Sequence, residues 1–345
     1  MGHALDTLPK VDLSCHFEGA LPLALLSELA RKHGRADAEA PLGPLPVTDL
    51  AGLAEARAKV RSLLVTAEDF FAAGQALGAA LLEQAVMHVD LHVDPTLWPA
   101  SHCKPAELLE SIDAGLCAAR PDGEETLLSW SFLIELRREL TAEAATAVVQ
   151  AILDAEVPHV GAVAVAAENA PGESALHLQA AFALAKEAGL IRVVATDRGK
   201  GLLAEALQLG AQRIVGGAAA LEDADLLLQL RAHRLPIAIC PSAQVLAGLT
   251  RSIAELRLRK MKDAGLFVAL GSGWPVLLGT SIGAEFEAVT RHHHWRLDDV
   301  RNATARAIEA VSTDATRRFQ LARTVEIWRH RPMAGPGKKG DDWSL

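Results

Sequence analysis

The fold follows from one stretch near the amino terminus, Lys10-Val11-Asp12-Leu13-Ser14-Cys15-His16-Phe17-Glu18-Gly19. Apolar and polar residues alternate along it until the glycine, a pattern that predicts a strand with two unlike faces. An amphipathic helix is predicted directly afterwards, from Leu21 to about His33. A strand, a loop and a helix in this order form one unit of an α/β fold. The strand delivers polar side chains to its carboxyl end.

Composition predicts the class of protein and its compartment. The chain has 345 residues, of which 50% are hydrophobic, so it can bury a large core. A net charge of −9 disfavours binding to nucleic acid or to anionic membranes. No apolar run reaches the roughly 18 residues that span a bilayer, and no signal-peptide pattern is present. Four dispersed cysteines without a CxxC pair are typical of a reducing compartment, so we expect a soluble, cytoplasmic protein.

Seven further apolar segments follow the first strand and alternate with predicted helices. These segments are Val86–Pro95, Leu127–Ile134, Val160–Ala166, Leu190–Thr196, Gln212–Val215, Pro236–Cys240 and Leu266–Leu270. Eight strands alternating with helices predict a single (β/α)8 TIM barrel over residues 1–332. Residues 333–345 are rich in Gly, Lys and Asp and are predicted to be a disordered tail. In such a barrel, chemistry occurs on the loops after the carboxyl ends of the strands.

Several motifs carry a resemblance to a known family. The opening stretch resembles the first strand of the adenosine deaminase family, of the amidohydrolase superfamily, which reads K-V-E-L-H-x-H-L-[DE]-G. Cys240-Pro241-Ser242-Ala243-Gln244, followed by Gly248, is similar to the family's C-P-T-S-N-x-x-x-G. A third match runs from Ala264-Gly265 through Pro275 to Glu285-Phe286. The resemblance covers about residues 8 to 330. It implies a barrel, a catalytic zinc and hydrolytic deamination of purines.

At most positions where that family has metal ligands or proton-transfer residues, this chain has other residues. Both histidines of its first strand bind zinc, but this chain has Ser14 and His16 there, and a hydroxyl is a poor zinc ligand. Later motifs supply further ligands, a proton-carrying glutamate and a water-orienting histidine. This chain instead reads Ala195-Thr196-Asp197-Arg198, Gly216-Gly217 and Gly273-Trp274-Pro275. Catalytic zinc takes three protein ligands, and of the family's set His16 alone remains.

These losses predict a family member without zinc-dependent catalysis. We therefore expect no catalytic residues, no metal ligands and no cofactor. The chain is expected to bind a purine nucleoside or nucleotide, or a protein partner, without turnover. The alternative is an active, divergent purine deaminase or amidohydrolase whose metal ligands have been rearranged. The sequence leaves open whether the protein is an enzyme.

A group of residues predicted to line the barrel mouth forms the candidate ligand site. Its members are His16, Glu18, His92, Asp94, Asp197, Arg198 and Trp274. Four of them, His16, His92, Asp94 and Asp197, are able to converge on a rebuilt metal site, although solvated polar residues line the mouth of any barrel. Glu18 matches the family acid on the ribose side of the substrate. Trp274, with Arg198 and Lys200 nearby, suits a planar or anionic ligand.

Overall fold

A computed structural model gives the fold. It describes residues 5, 7–35, 37–98, 103–121, 128–165, 174–196 and 200–330. The tail predicted at 333–345 lies outside these ranges, so the division of the chain into barrel and tail stays a prediction.

Eight parallel strands within these ranges form one sheet in the order β1 to β8. They are β1 Lys10–His16, β2 Val86–Val93, β3 Ser129–Leu136, β4 Val160–Val165, β5 Ile191–Ala195, β6 Arg213–Val215, β7 Pro236–Ile239 and β8 Phe267–Leu270. The ends of the sheet meet where Cys15 bridges Gly273. There the His16 amide donates to the Gly273 carbonyl at 2.7 Å, and the Gly273 amide donates to the Ser14 carbonyl at 2.8 Å. The predicted (β/α)8 barrel is confirmed.

Helices connect the strands and cover the outside of the sheet. They are α1 Phe17–Ala20, α2 Leu23–Lys32, α3 Leu50–Leu63, α4 Ala67–Glu83, α5 Pro105–Ala118, α6 Ala142–Asp154, α7 Gln179–Glu187, α8 Lys200–Gln208, α9 Ala224–Ala232, α10 Pro241–Leu246, α11 Leu258–Asp263, α12 Ile282–His293, α13 Leu297–Ala310 and α14 Ala315–His330. Thr66 and Asp69 form the capping box that starts α4, because each side chain accepts from the other's backbone amide. Across the described ranges, no helix is both long and apolar enough to cross a membrane.

The two faces of β2 differ in chemistry. Val89, Leu91 and Val93 pack in the large hydrophobic cluster between sheet and helices. Alternation along the strand therefore turns His88, Asp90 and His92 to the barrel interior. All of these side chains are buried. Cys15 of β1 belongs to the same cluster between sheet and helices.

The barrel interior is polar on one side and apolar on the other. Small residues of β4 to β8 fill the apolar part, namely Ala162, Ala164, Ala195, Ala238 and Ala269. The amino end of the barrel is closed by the chain after α13, where Ser131 donates to the Ser312 carbonyl at 2.7 Å. The carboxyl end is the mouth, and polar residues at the ends of β1, β2 and β3 converge there.

Candidate metal centre and active site

Three buried side chains from three neighbouring strands meet at the mouth. His16 is the last residue of β1, His92 lies near the end of β2, and Glu135 lies near the end of β3. His16 Nδ1 is 3.6 Å from one Glu135 oxygen, and His92 Nδ1 is 3.7 Å from the other. One ligand atom from each residue lies within 4.8 Å of the others. The register of the sheet brings them together, since His16 pairs with His92 and His92 with Leu133.

His92 is held at one ring nitrogen and open at the other. Its Nε2 lies 3.3 Å from the hydroxyl of Ser14 on β1. Its buried Nδ1, which faces Glu135, has no hydrogen-bond partner among the described residues. Burial lowers the pKa of His92, so the imidazole is neutral. A neutral imidazole with an unused nitrogen is the form that binds a metal ion.

Glu135 supplies the negative charge of the group. Burial opposes its ionisation, but the adjacent imidazole of His16 is the main cause that outweighs this effect, and the pKa of Glu135 is held well below its usual range. The side chain is 5% exposed. A buried carboxylate between two histidines gives two nitrogen donors and one oxygen donor.

This donor set fits a divalent metal ion of the zinc type. Catalytic zinc is bound by three protein ligands, and two histidines with one glutamate are an established set. Two ligand atoms at tetrahedral zinc lie about 3.3 Å apart, from bond lengths near 2.0–2.1 Å. The separations of 3.6 and 3.7 Å are a few tenths of an ångström longer. All three ligand atoms lie within 4.8 Å of one another, and the stacked rings of His16 and His92 would have to rotate for both nitrogens to point at one ion.

An aromatic stack forms one wall of the site. The Trp274 ring stacks on His16, with centroids 4.3 Å apart and planes at 20°. His16 in turn stacks on His92 at 4.6 Å and 22°. The Arg57 guanidinium lies 5.7 Å from the centre of the indole. A Cβ at Gly19 would come within 2.6 Å of the Trp274 side chain, so the glycine that ends the opening stretch leaves room for the indole.

Glu18 pairs with two arginines of the protein. It is 3% exposed and accepts from Arg57 Nε at 2.5 Å and from Arg61 Nη1 at 3.2 Å. Both arginines lie on α3, so the ion pairs join the start of the first βα loop to the helical layer. These contacts hold the Glu18 carboxylate within the protein.

The other side of the mouth carries small residues at the family's chemical positions. Ala195 ends β5, and its carbonyl accepts from Arg138 Nη2 at 3.2 Å. Gly216 and Gly273, after β6 and β8, adopt positive φ angles of 97° and 70°, which favour glycine. A Cβ at Gly273 would lie 3.2 Å from Ala243. At these three described positions the chain therefore offers backbone and methyl groups in place of metal ligands.

The predicted site residues have different outcomes. His16 and His92 meet as the rebuilt-site hypothesis requires, and Trp274 lies against them. Asp94 is absent from this group of described residues, because it accepts from the Thr96 amide at 2.8 Å and from Arg137 Nε at 3.0 Å. Asp197 and Arg198 lie outside the described residues, as does the side chain of Lys200.

Glu135 is the member of the candidate metal group that the sequence did not predict. The third apolar segment was predicted to end at Ile134, one residue before it. The sequence carries one signal for this residue. Glu135 is acidic and lies two positions after Leu133, so both side chains are on the interior face of β3, and the rest of that end of the strand is apolar. An acid at that position faces the same mouth as His16 and His92.

Known proteins share this chain's sequence and fold. An adenine deaminase from Rhizobium rhizogenes is 29% identical over 322 residues, which cover 92% of this chain and 98% of that protein. The crystal structure of adenine deaminase from Arthrobacter aurescens has a TM-score of 0.83 at 22% identity, covering 94% of this chain and all of that one. An amidohydrolase from Burkholderia ambifaria, solved with bound zinc, has a TM-score of 0.84 at 19% identity, covering 95% and 93%. Both structural likenesses show the fold.

Two expectations from the sequence are wrong. The first is that the chain has lost deaminase catalysis, and it is contradicted by full-length relatives named adenine deaminase together with the group of His16, His92 and Glu135. The second is that no cofactor binds, which the same three residues contradict. The physical reason is that β2 and β3 bring candidate ligands, His92 and Glu135, to the mouth where β1, β5 and β8 lack the family's ligands. The carboxyl ends of all these strands meet at one mouth. A count of the positions where the family has its ligands therefore overlooks candidate ligands on other strands.

The family assignment rests on most of the chain. The family model described as adenosine deaminase matches residues 9–328, which include all eight strands of the described barrel. This match covers the opening stretch and every scaffold motif identified from the sequence. The chain belongs to the adenosine deaminase family.

Proposed function

We propose that this protein is a metal-dependent hydrolytic deaminase of purines, with free adenine as the favoured substrate. The observation that carries the proposal is the convergence of His16, His92 and Glu135 at the mouth of the barrel. The relatives named adenine deaminase support the purine class, because they align along nearly the whole chain.

In this proposal His16, His92 and Glu135 hold one divalent ion. Such an ion lowers the pKa of bound water to near 7, which supplies a nucleophile at neutral pH. Glu135 contributes the charge that balances the cation. His92 binds in its neutral form, which its burial favours. Trp274 and His16 present parallel rings whose stacking keeps the histidine in place and excludes water from that side.

The position of Glu18 favours a free base over a nucleoside. In the family this acid lies on the ribose side of the substrate. Here its carboxylate is buried and engaged by Arg57 and Arg61. Releasing it to bind a sugar hydroxyl would leave two cations without their partner, which is unfavourable at a buried site. A substrate without ribose requires no such release.

Two further expectations belong with this function. We propose a cytoplasmic location, since the four cysteines are dispersed without a CxxC pair, a pattern typical of a reducing compartment. Binding of a protein partner stays a prediction from the sequence, and the proposed chemistry does not require one.

The test is a direct assay of purine deamination. Purified protein is loaded with one equivalent of zinc and given adenine, adenosine or AMP, and ammonia release is measured together with product absorbance. We expect conversion of adenine to hypoxanthine, with kcat/KM at least about tenfold higher than for adenosine, or about 1.4 kcal/mol. Metal-loaded protein that converts none of the three purines would overturn the proposal.

A further inference from the structure

Ser14 lies in an unexpected relation to the metal group. It stands where the family carries its first zinc-binding histidine, and it is 1% exposed. Its hydroxyl does not face Glu135 as a ligand. It lies 3.3 Å from Nε2 of His92, across the β1–β2 pair.

The hydroxyl is able to donate to Nε2 or to accept from it, and the two cases leave different nitrogens of His92 available. An Nε2 proton donated to the Ser14 oxygen leaves the lone pair on Nδ1. Nδ1 is the atom that lies 3.7 Å from Glu135 and has no hydrogen-bond partner within the described part of the chain. We infer that Ser14 is a positioning residue, which fixes the His92 tautomer and ring orientation so that Nδ1 meets the metal. The inference rests on the metal site of the proposed function.

The backbone of Ser14 is fixed on both sides, which makes its hydroxyl a rigid support. Its amide donates to Asp12 at 3.2 Å, and its carbonyl accepts from Gly273 at 2.8 Å. Asp12 is itself held by the amide and hydroxyl of Ser272, at 3.1 and 2.5 Å. A Cβ at Gly271 would lie 2.9 Å from that of Ser14, so the serine is closely packed.

Outer partners of metal-binding histidines commonly act in this way. The second ring nitrogen donates to a nearby oxygen, and removal of that partner typically weakens metal binding by about 10–100-fold. In this barrel a family ligand position has become a support for a new ligand on the neighbouring strand. One substitution therefore removes a ligand and stabilises its replacement.

The experiment measures zinc affinity by competition with a chelator in the parent protein, Ser14→Ala and Ser14→Thr. We expect Ser14→Ala to bind zinc about 10–100-fold more weakly. Ser14→Thr, which keeps the hydroxyl, should recover most of the affinity. Melting temperatures of the metal-free proteins show whether either variant is misfolded. Proton–nitrogen NMR of the zinc-loaded parent should place the His92 proton on Nε2, a readout that a purely structural role of Ser14 would not determine.

Two results would overturn the inference. One is a Ser14→Ala protein with the zinc affinity of the parent, and the other is an NMR spectrum with the His92 proton on Nδ1. Neither requires turnover, so they are separate from a failure of the proposed deamination. Conversely, a parent that binds zinc and fails to convert purines would leave the role of Ser14 intact and contradict the proposed function alone.

Discussion

The two sides of the barrel mouth differ in what their strands deliver. The side built by β1, β2 and β3 brings two imidazoles and a carboxylate within 4.8 Å. The side built by β5, β6 and β8 ends in Ala195, Gly216 and Gly273. The first side has the donors that a metal needs, and the second has small residues and the indole of Trp274. The backbone is that of the adenosine deaminase family on both sides.

If His16, His92 and Glu135 hold the metal as proposed, this barrel has relocated a metal site without changing its fold. The carboxyl ends of all eight strands meet at one mouth, so a ligand lost from one strand is replaceable from another. On the β8 side, the Trp274 ring stacks on His16. The following predictions test whether the chemistry is confined to the β1–β3 side, in order of decreasing effect.

The largest effect is expected for Glu135→Gln. The amide keeps the shape of the side chain and removes the charge that balances a cation. The pKa of water falls from about 15.7 to about 7 on such an ion, so loss of the ion should lower adenine deamination by more than about 10⁴-fold. The measurement is kcat/KM after loading with one equivalent of zinc and removal of unbound metal.

The matched control for that change is Glu285→Gln. Glu285 on α12 is another buried glutamate, and it accepts from the Ser242 amide at 3.2 Å on the β7 side. We expect this variant to bind one zinc per chain. Equal loss of zinc from both variants would remove the distinction between the two sides.

The next effect concerns the interior beneath the mouth. Arg213 on β6 forms a buried ion pair with Asp90, which also accepts from His88 at 2.9 Å and from Ser312 at 3.2 Å. Arg213→Met leaves the Asp90 charge buried without its cation, so the free energy of unfolding should fall by about 3–5 kcal/mol. Urea denaturation measures this change. Zinc affinity of the folded variant should stay within about threefold of the parent, about 0.7 kcal/mol.

Glu285 also predicts a dependence of stability on pH. Burial raises its pKa from 4.5 to about 7. The folded state therefore retains a proton that the unfolded state releases, so this group's contribution to stability falls as pH rises from about 4.5 to about 7. In the parent, this group should lower the free energy of unfolding by about 3 kcal/mol at pH 8 relative to pH 4. Glu285→Gln should abolish that fall and change the free energy of unfolding little at pH 4. Denaturation of parent and variant at each pH measures this dependence. Two curves of unfolding free energy against pH that stayed parallel would contradict the assignment.

Trp274→Phe should have the smallest effect. Phenylalanine keeps an aromatic ring against His16 and loses part of the contact with Arg57. An aromatic pair contributes about 0.5–1.5 kcal/mol beyond its buried area, so we expect a loss of about 1 kcal/mol in unfolding free energy. Zinc binding should remain. A variant that folds and loses its zinc would assign a direct role in the metal site to the β8 side.

Much of the fold was predictable from the sequence, because local patterns determine it. Alternation in the opening stretch predicts β1, and the capping box at Thr66 and Asp69 predicts the start of α4. The apolar segments are short and separated by helices, so an α/β barrel accommodates all of them. These signals depend on neighbours in the chain, which the sequence displays.

The metal group was less predictable, because it depends on which strand ends meet. His16 and His92 were visible as polar residues at the ends of two strands. Glu135 lies near the end of a strand whose sequence is mostly apolar. His92 and His16, which it meets in the fold, lie 43 and 119 positions earlier in the chain. The contacts that lower the pKa of Glu135 depend on the register of β1, β2 and β3. Register across strands is set by the whole barrel.

The number of zinc ions bound per chain tests the central claim most directly. Parent protein and Glu135→Gln are stripped with a chelator, loaded with equimolar zinc, passed through a desalting column and measured by elemental analysis. The account predicts close to one zinc per chain in the parent and less than about a tenth of that in the variant, since the ion requires three protein ligands. A parent that retains no zinc, or a variant that retains as much as the parent, would contradict it.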